Sequence, residues 1–162
     1  MHKDFQDLLY IAEKRYLQKT QLKTLTGHLD TLKVRLATYK KIRDQEIPIF
    51  QEVVDKLLLT ASDIPPETIE QVLKHWLAVM RYATMAMLLN NPEFLQRRIL
   101  EWLTPQIKAH QIEAIETKFY QALVTKIKET LTQEQFALMQ PFLSQAQTTL
   151  LGAESNQRVL AK

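Results

Sequence analysis

Histidines, paired glutamates and an absence of cysteine bound the chemistry open to this chain of 162 residues. His75 and His110 are the two histidines set among apolar residues. Neutral imidazole is a good iron ligand, so in a globin-like body these two could approach a haem from opposite faces. The blander reading is a partly exposed polar position on each helix. His2 and His28, near a terminus and a turn signal, read as surface. Glu67 with Glu70, and Glu113 with Glu116, are spaced to share a helix face, where paired acids are normally solvated. Without cysteine there is no disulfide, thiolate metal site, thiol nucleophile or thioether-linked cofactor. Gly27 and Gly152 stand far apart and cannot build a phosphate-binding loop. No glutamate is followed three residues later by histidine, which argues against a di-iron carboxylate bundle. The chain therefore reads as a binding protein and not as an enzyme.

Helices must position these groups. Hydrophobic residues make up 46% and charged residues 24%, a balance that folds. Scarce glycine and abundant Leu, Ala, Gln, Glu and Lys favour helix. A first stripe runs through Phe5, Leu8, Leu9, Ala12 and Tyr16. A second helix starts near Thr20 with Leu22, Leu25 and Leu29, and Gly27 marks its end or a bend. Residues 32–59 form a long periodic run that Pro48 divides by a kink or a new helix start. Ser62 and Asp63, then Pro65, Pro66 and Glu67, announce a helix running to about Leu89. Its stripe of Leu73, Trp76, Leu77, Met80, Thr84 and Met87, with Val79, Ala83 and Ala86 beside it, makes it the buried centre of the domain. Met80, Met85 and Met87 beside Trp76 read as ordinary core rather than as an adaptable pocket.

Pro92 restarts a short helix with Phe94, Leu95, Ile99 and Trp102, and Thr104-Pro105 signals another start. Ile112, Ile115, Phe119, Leu123 and Ile127 mark a further helix. Thr132 and Gln135 form a capping box for the last one, Phe136 to Leu150. Residues 1–152 make one domain of seven or eight helices, and 153–162 a frayed polar tail. No segment has the length of a membrane span, and the first residues do not form a secretory leader, so the expected compartment is the cytoplasm. Between Lys14 and Arg43 stand seven further basic residues against one acid, Asp30. With no nucleic-acid motif beside them, they read as a solvated, partner-facing surface.

Met80-Arg81-Tyr82-Ala83-Thr84-Met85-Ala86-Met87-Leu88 resembles the Arg-Tyr-Ala-Thr-Tyr-Ala-Met-Leu segment of phycobiliproteins, the light-harvesting subunits of cyanobacterial phycobilisomes. Asn91 to Leu95, Arg98 to Leu100, Leu32 to Arg35 and Glu52 to Leu58 resemble further segments of that family. The resemblance covers about residues 5–105. It implies an all-α, globin-like phycobiliprotein fold with an N-terminal helical hairpin extension.

The departures bear on function. The family attaches a linear tetrapyrrole through the cysteine of Cys-x-Arg-Asp. In register with Arg81, Val72 stands at the cysteine position, Lys74 at the arginine and His75 at the aspartate. Valine forms no thioether, and histidine supplies no fixed negative charge for the pyrrole nitrogens. A covalent bilin is excluded on chemistry. What remains resembles the unpigmented bilin biosynthesis-associated globins, which are thought to act alongside haem oxygenase and bilin reductase. The resemblance implies an accessory, regulatory binding role in bilin biosynthesis, with no covalent cofactor. Any noncovalent tetrapyrrole would meet Trp76, Tyr82 and His110. The competing expectations are a structural or regulatory phycobilisome component and a haem-binding sensor. The family also packs its N-terminal helical pair on another subunit, which implies a homodimer with Phe5, Leu8, Leu9 and Ala12 near its seam.

Overall fold

Helix periodicity accounts for almost every element in the computed structural model, which describes residues 3–60 and 64–152, with side chains from Gln6 onward. Seven α-helices appear among the described residues: α1 (Lys3–Lys14), α2 (Lys19–Thr60), α3 (Pro66–Leu89), α4 (Pro92–Leu95), α5 (Glu101–His110), α6 (Glu113–Thr130) and α7 (Gln133–Leu151). A π-helical segment, Gln96–Leu100, joins α4 to α5, and in it the Glu101 N–H donates to the Gln96 carbonyl five residues back. No described residue lies in a strand. His2, the cap expected at Ser62 and Asp63, the Phe5 side chain and the tail 153–162 lie outside the described residues.

The central helix is the one expected. Along α3, Val72, Trp76, Val79, Ala83 and Ala86 are fully buried, while Leu73 and Leu77 are half-buried beside them. The helix packs against α2, α4, α6 and α7. Its start is set by Pro66 in the first turn followed by Glu67 at the positive helix end. Its end is set by Asn90, held in the left-handed region at φ 48°, which asparagine tolerates better than most residues. The Asn91 side chain then caps α4 by accepting from the Phe94 N–H. The capping box at α7 is present in both directions: the Gln135 N–H donates to Thr132 Oγ1, and the Thr132 N–H to Gln135 Oε1.

Breaker residues misled at three places. Gly27 does not end a helix, and Pro48 starts no new one: both lie inside α2, a 42-residue helix. At 1.5 Å per residue it is about 63 Å long. Pro48 is exposed, so the carbonyl it leaves without an amide partner faces water, while Ile42, Ile49, Phe50 and Val53 anchor both sides of it in the core. Thr104-Pro105 likewise starts no helix. Pro105 sits on the solvent side of α5, Leu103 and Ile107 are buried on the other side, and the Thr104 hydroxyl donates back to the Leu100 carbonyl. Tyr16 is a further miss of another kind: α1 stops at Lys14, and the tyrosine is 99% exposed.

The expected hairpin extension is present as α1 packed on α2. Leu8 is buried within the protomer, whereas Leu9 and Ala12 are exposed.

Candidate functional site

The three positions that the resemblance sets at the pigment site fall within about one turn of α3 but face different surroundings. Val72 has no exposure and belongs to the core. Lys74 points to solvent, where its ammonium donates to Glu70, 2.5 Å away and one turn back. His75 turns inward, and its Nδ1 lies 2.6 Å from Oε1 of Glu116 on α6. Glu116 is fully buried, and the His75 side chain is only 11% exposed.

This pair corrects one expectation and adds to another. Glu116 is not a solvated partner of Glu113: Glu113 is exposed, while Glu116 lies on the inward stripe with Phe119, Tyr120, Leu123 and Ile127. His75 is the partly exposed polar position that the blander reading gave it, and it also holds a buried carboxylate. The signal lay in the sequence, since Glu116 falls one turn before Phe119 and Tyr120 and two before Leu123. The partner 41 residues away did not.

Around the pair the seam between α3 and α6 is aromatic. The Trp76 and Tyr120 rings lie 5.1 Å apart between centroids. The Tyr120 hydroxyl donates to the Leu143 carbonyl at 3.3 Å, and burial pushes its pKa up to about 12. The Trp76 Nε1–H and Glu116 Oε2 are buried with no protein partner.

A second feature lies further along α3. A groove of about 660 Å³ runs between α2 and α3 and is lined by Tyr39, Arg43, Glu46, Arg81, Tyr82 and Phe94, among others. Its floor includes Met80 and Met85; Met80 and Met87 are buried core as expected, and Met85 is half-buried. Arg81 grips Glu46 with both ends of its guanidinium, Nε at 2.8 Å and Nη2 at 2.6 Å from the two carboxylate oxygens. That hydrogen bonding holds the Glu46 carboxyl below its usual pKa, against an opposing desolvation effect. The Tyr82 and Phe94 rings meet at 6.1 Å, and Arg98 lies over the far ring at 5.9 Å.

The expected tetrapyrrole contacts therefore fall in different places. Tyr82 lines the groove, Trp76 is sealed in the core, and His110 is exposed at the end of α5. No group of three or more metal-ligating side chains occurs among the described residues, and no described helix is long and apolar enough to cross a membrane. The residues present do not fit a bilin attached through a thioether, because the chain has no cysteine.

The profile of the phycobilisome protein family matches residues 10–150, and the chain belongs to that family. The all-α body is accordingly the family's globin-like fold. No curated protein gives a significant match.

Proposed function

We propose that this phycobilisome-family protein is a non-pigmented accessory protein of bilin biosynthesis that works by binding other proteins, in the cytoplasm, and not by catalysis. The observation that carries the reading is the fate of the pigment positions. Val72 is packed into the core, and His75, where the family's pyrrole-binding aspartate would stand, is committed to Glu116 inside the protein. Meanwhile the N-terminal helices keep large apolar side chains in water: Leu9, Leu22, Leu29, Leu32 and Leu36 are each 42–49% exposed. Contiguous exposed apolar surface of this kind marks contact with another macromolecule.

Two finer elements belong to this reading. The protein forms a homodimer across the outward face of α1, where Leu9 and Ala12 are exposed, with Leu8 supporting the seam from inside the protomer. A noncovalent tetrapyrrole would lie in the groove between α2 and α3, whose volume falls in the range of about 300–1,000 Å³ usual for small-molecule sites. There Tyr39, Tyr82 and Phe94 offer ring faces, and Arg43, now 2.8 Å from Asp44, would exchange that carboxylate for a propionate.

The test combines mass spectrometry with a coupled reaction of haem oxygenase and bilin reductase. The chain should gain no mass that survives denaturation after incubation with bilin, and it should change the rate or product release of the enzyme pair. A covalent adduct would sink the non-pigmented reading. Indifference of both enzymes, together with co-purification with intact phycobilisomes, would replace it with the structural-component reading. For the haem-sensor reading, a Soret band lost in His75→Ala is the required result, and a flat spectrum removes it. Light scattering that returns a 19 kDa monomer at micromolar concentration would defeat the dimer.

A further inference from the structure

Two facing stripes build the groove between α2 and α3. On α2, Ile42, Arg43 and Glu46 stand three, four and seven positions after Tyr39, and on α3 Arg81, Tyr82 and Met85 stand at the same offsets from Ala78. The lining therefore holds two arginines, and Glu46 is its one acid. A ligand that carries its charge on carboxylates meets both arginines already engaged. Arg43 holds Asp44 at 2.8 Å, and Arg81 holds Glu46 from the opposite helix.

The two engagements differ in what it costs to break them. Arg43 and Asp44 are 60% and 58% exposed, so water takes over the displaced Asp44 carboxylate and the exchange is nearly free. Glu46 is only 22% exposed, and each of its oxygens accepts from a different guanidinium nitrogen of Arg81. Displacing it would leave a half-buried carboxylate without the cation that keeps it ionised.

We propose that Glu46 is a built-in competitor for the ligand of this groove: it occupies and neutralises the arginine that would anchor a second carboxylate, and so keeps an anionic tetrapyrrole loosely held. This role presupposes the noncovalent tetrapyrrole site and adds its regulation. A protein that passes a pigment between enzymes must also let it go, and a competing carboxylate fixed in the groove serves that end.

The test titrates the full-length protein with biliverdin and with its dimethyl ester, which differ in the charge of the two propionates. Glu46→Gln should bind biliverdin about fivefold more tightly than the parent at low salt, the upper end of what an exposed ion pair is worth, with the gain shrinking as salt rises. Affinity for the ester should stay within about twofold of the parent's, since it has no carboxylate to place on Arg81. Adding Arg81→Lys to Glu46→Gln should remove most of the gain at unchanged net charge, because an ammonium does not reproduce the guanidinium fork. Glu134→Gln, the same charge change at an exposed position of α7 outside the groove, should leave affinity where it was. Circular dichroism should match across the variants, as both partners of the pair reach the surface. No gain in Glu46→Gln overturns the competitor role. So does an equal gain for the ester, which would mean that the substitution only widens the groove, or an equal gain in Glu134→Gln, which would assign the effect to overall charge. Biliverdin bound by the parent without a gain in Glu46→Gln removes the competitor alone. Binding of neither pigment by any variant removes the tetrapyrrole site and the competitor with it.

Discussion

Replacing His75 by alanine should destabilise the protein by about 3 kcal/mol, the upper end of the range of roughly 1–3 kcal/mol for leaving a buried polar group without its hydrogen-bond partner. The reasoning starts at Glu116, which has no exposure. Oε1 of that carboxylate has His75 as its partner at 2.6 Å, and Oε2 has no protein partner. Without the imidazole, the carboxylate keeps no protein contact to offset its lost hydration. The cost goes no higher because His75 is 11% exposed, so water can partly replace the ring. A domain of this length shifts its midpoint by about 2–4 °C per kcal/mol, which sets an expected fall of about 6–12 °C. Calorimetry and urea titration at pH 7 measure it. The double variant His75→Leu with Glu116→Leu should recover to within about 1 kcal/mol of the parent, since an apolar pair of similar volume needs no hydration. A loss below about 1 kcal/mol in His75→Ala, the size of an exposed pair, would refute the argument by showing that water reaches Glu116 freely.

Gly27→Ala should stabilise the protein by about 0.5–1 kcal/mol, because a Cβ there meets nothing within 4 Å and glycine is a poor helix residue; a lower midpoint in urea would contradict a continuous α2. Tyr120 holds its proton to about 12, above the value of 10 it has when unfolded. Its contribution is thus complete below pH 10 and is lost as pH climbs from 10 towards 12. Tyr120→Phe should flatten that alkaline decline and cost about 0.5–1.5 kcal/mol at pH 7 through the lost bond to Leu143; an unchanged decline would assign it to other groups. Thr132→Ala removes the capping-box acceptor of α7 and should cost about 1 kcal/mol. A loss within experimental error in thermal melts would show that packing alone holds that end.

What could be read from the sequence depended on whether the physics was local. Caps are local: the Thr132–Gln135 box and the Pro66 start each join residues within a few positions of one another, and each stands where the sequence placed it. The burial of α3 was legible because its apolar residues cover most of its girth, and such a helix has nowhere to go but the middle. The loss of covalent pigment needed only the absence of cysteine.

Breakers were a different matter. Whether Pro48 or Pro105 interrupts a helix depends on which way it faces and on what anchors the turns either side of it. Sequence spacing alone does not say which carbonyl reaches water. The His75–Glu116 pair marks the clearest boundary. Each residue looked like surface on its own helix, and only the packing of α3 on α6 buried the carboxylate and brought an imidazole to it. By itself, then, the sequence determined the helices, their capped ends, the buried centre and the exclusion of a thioether, because those follow from residue type and short-range spacing. Tertiary structure alone decided which polar groups meet inside and which leucines stay in water, because those depend on how helices distant in sequence pack together.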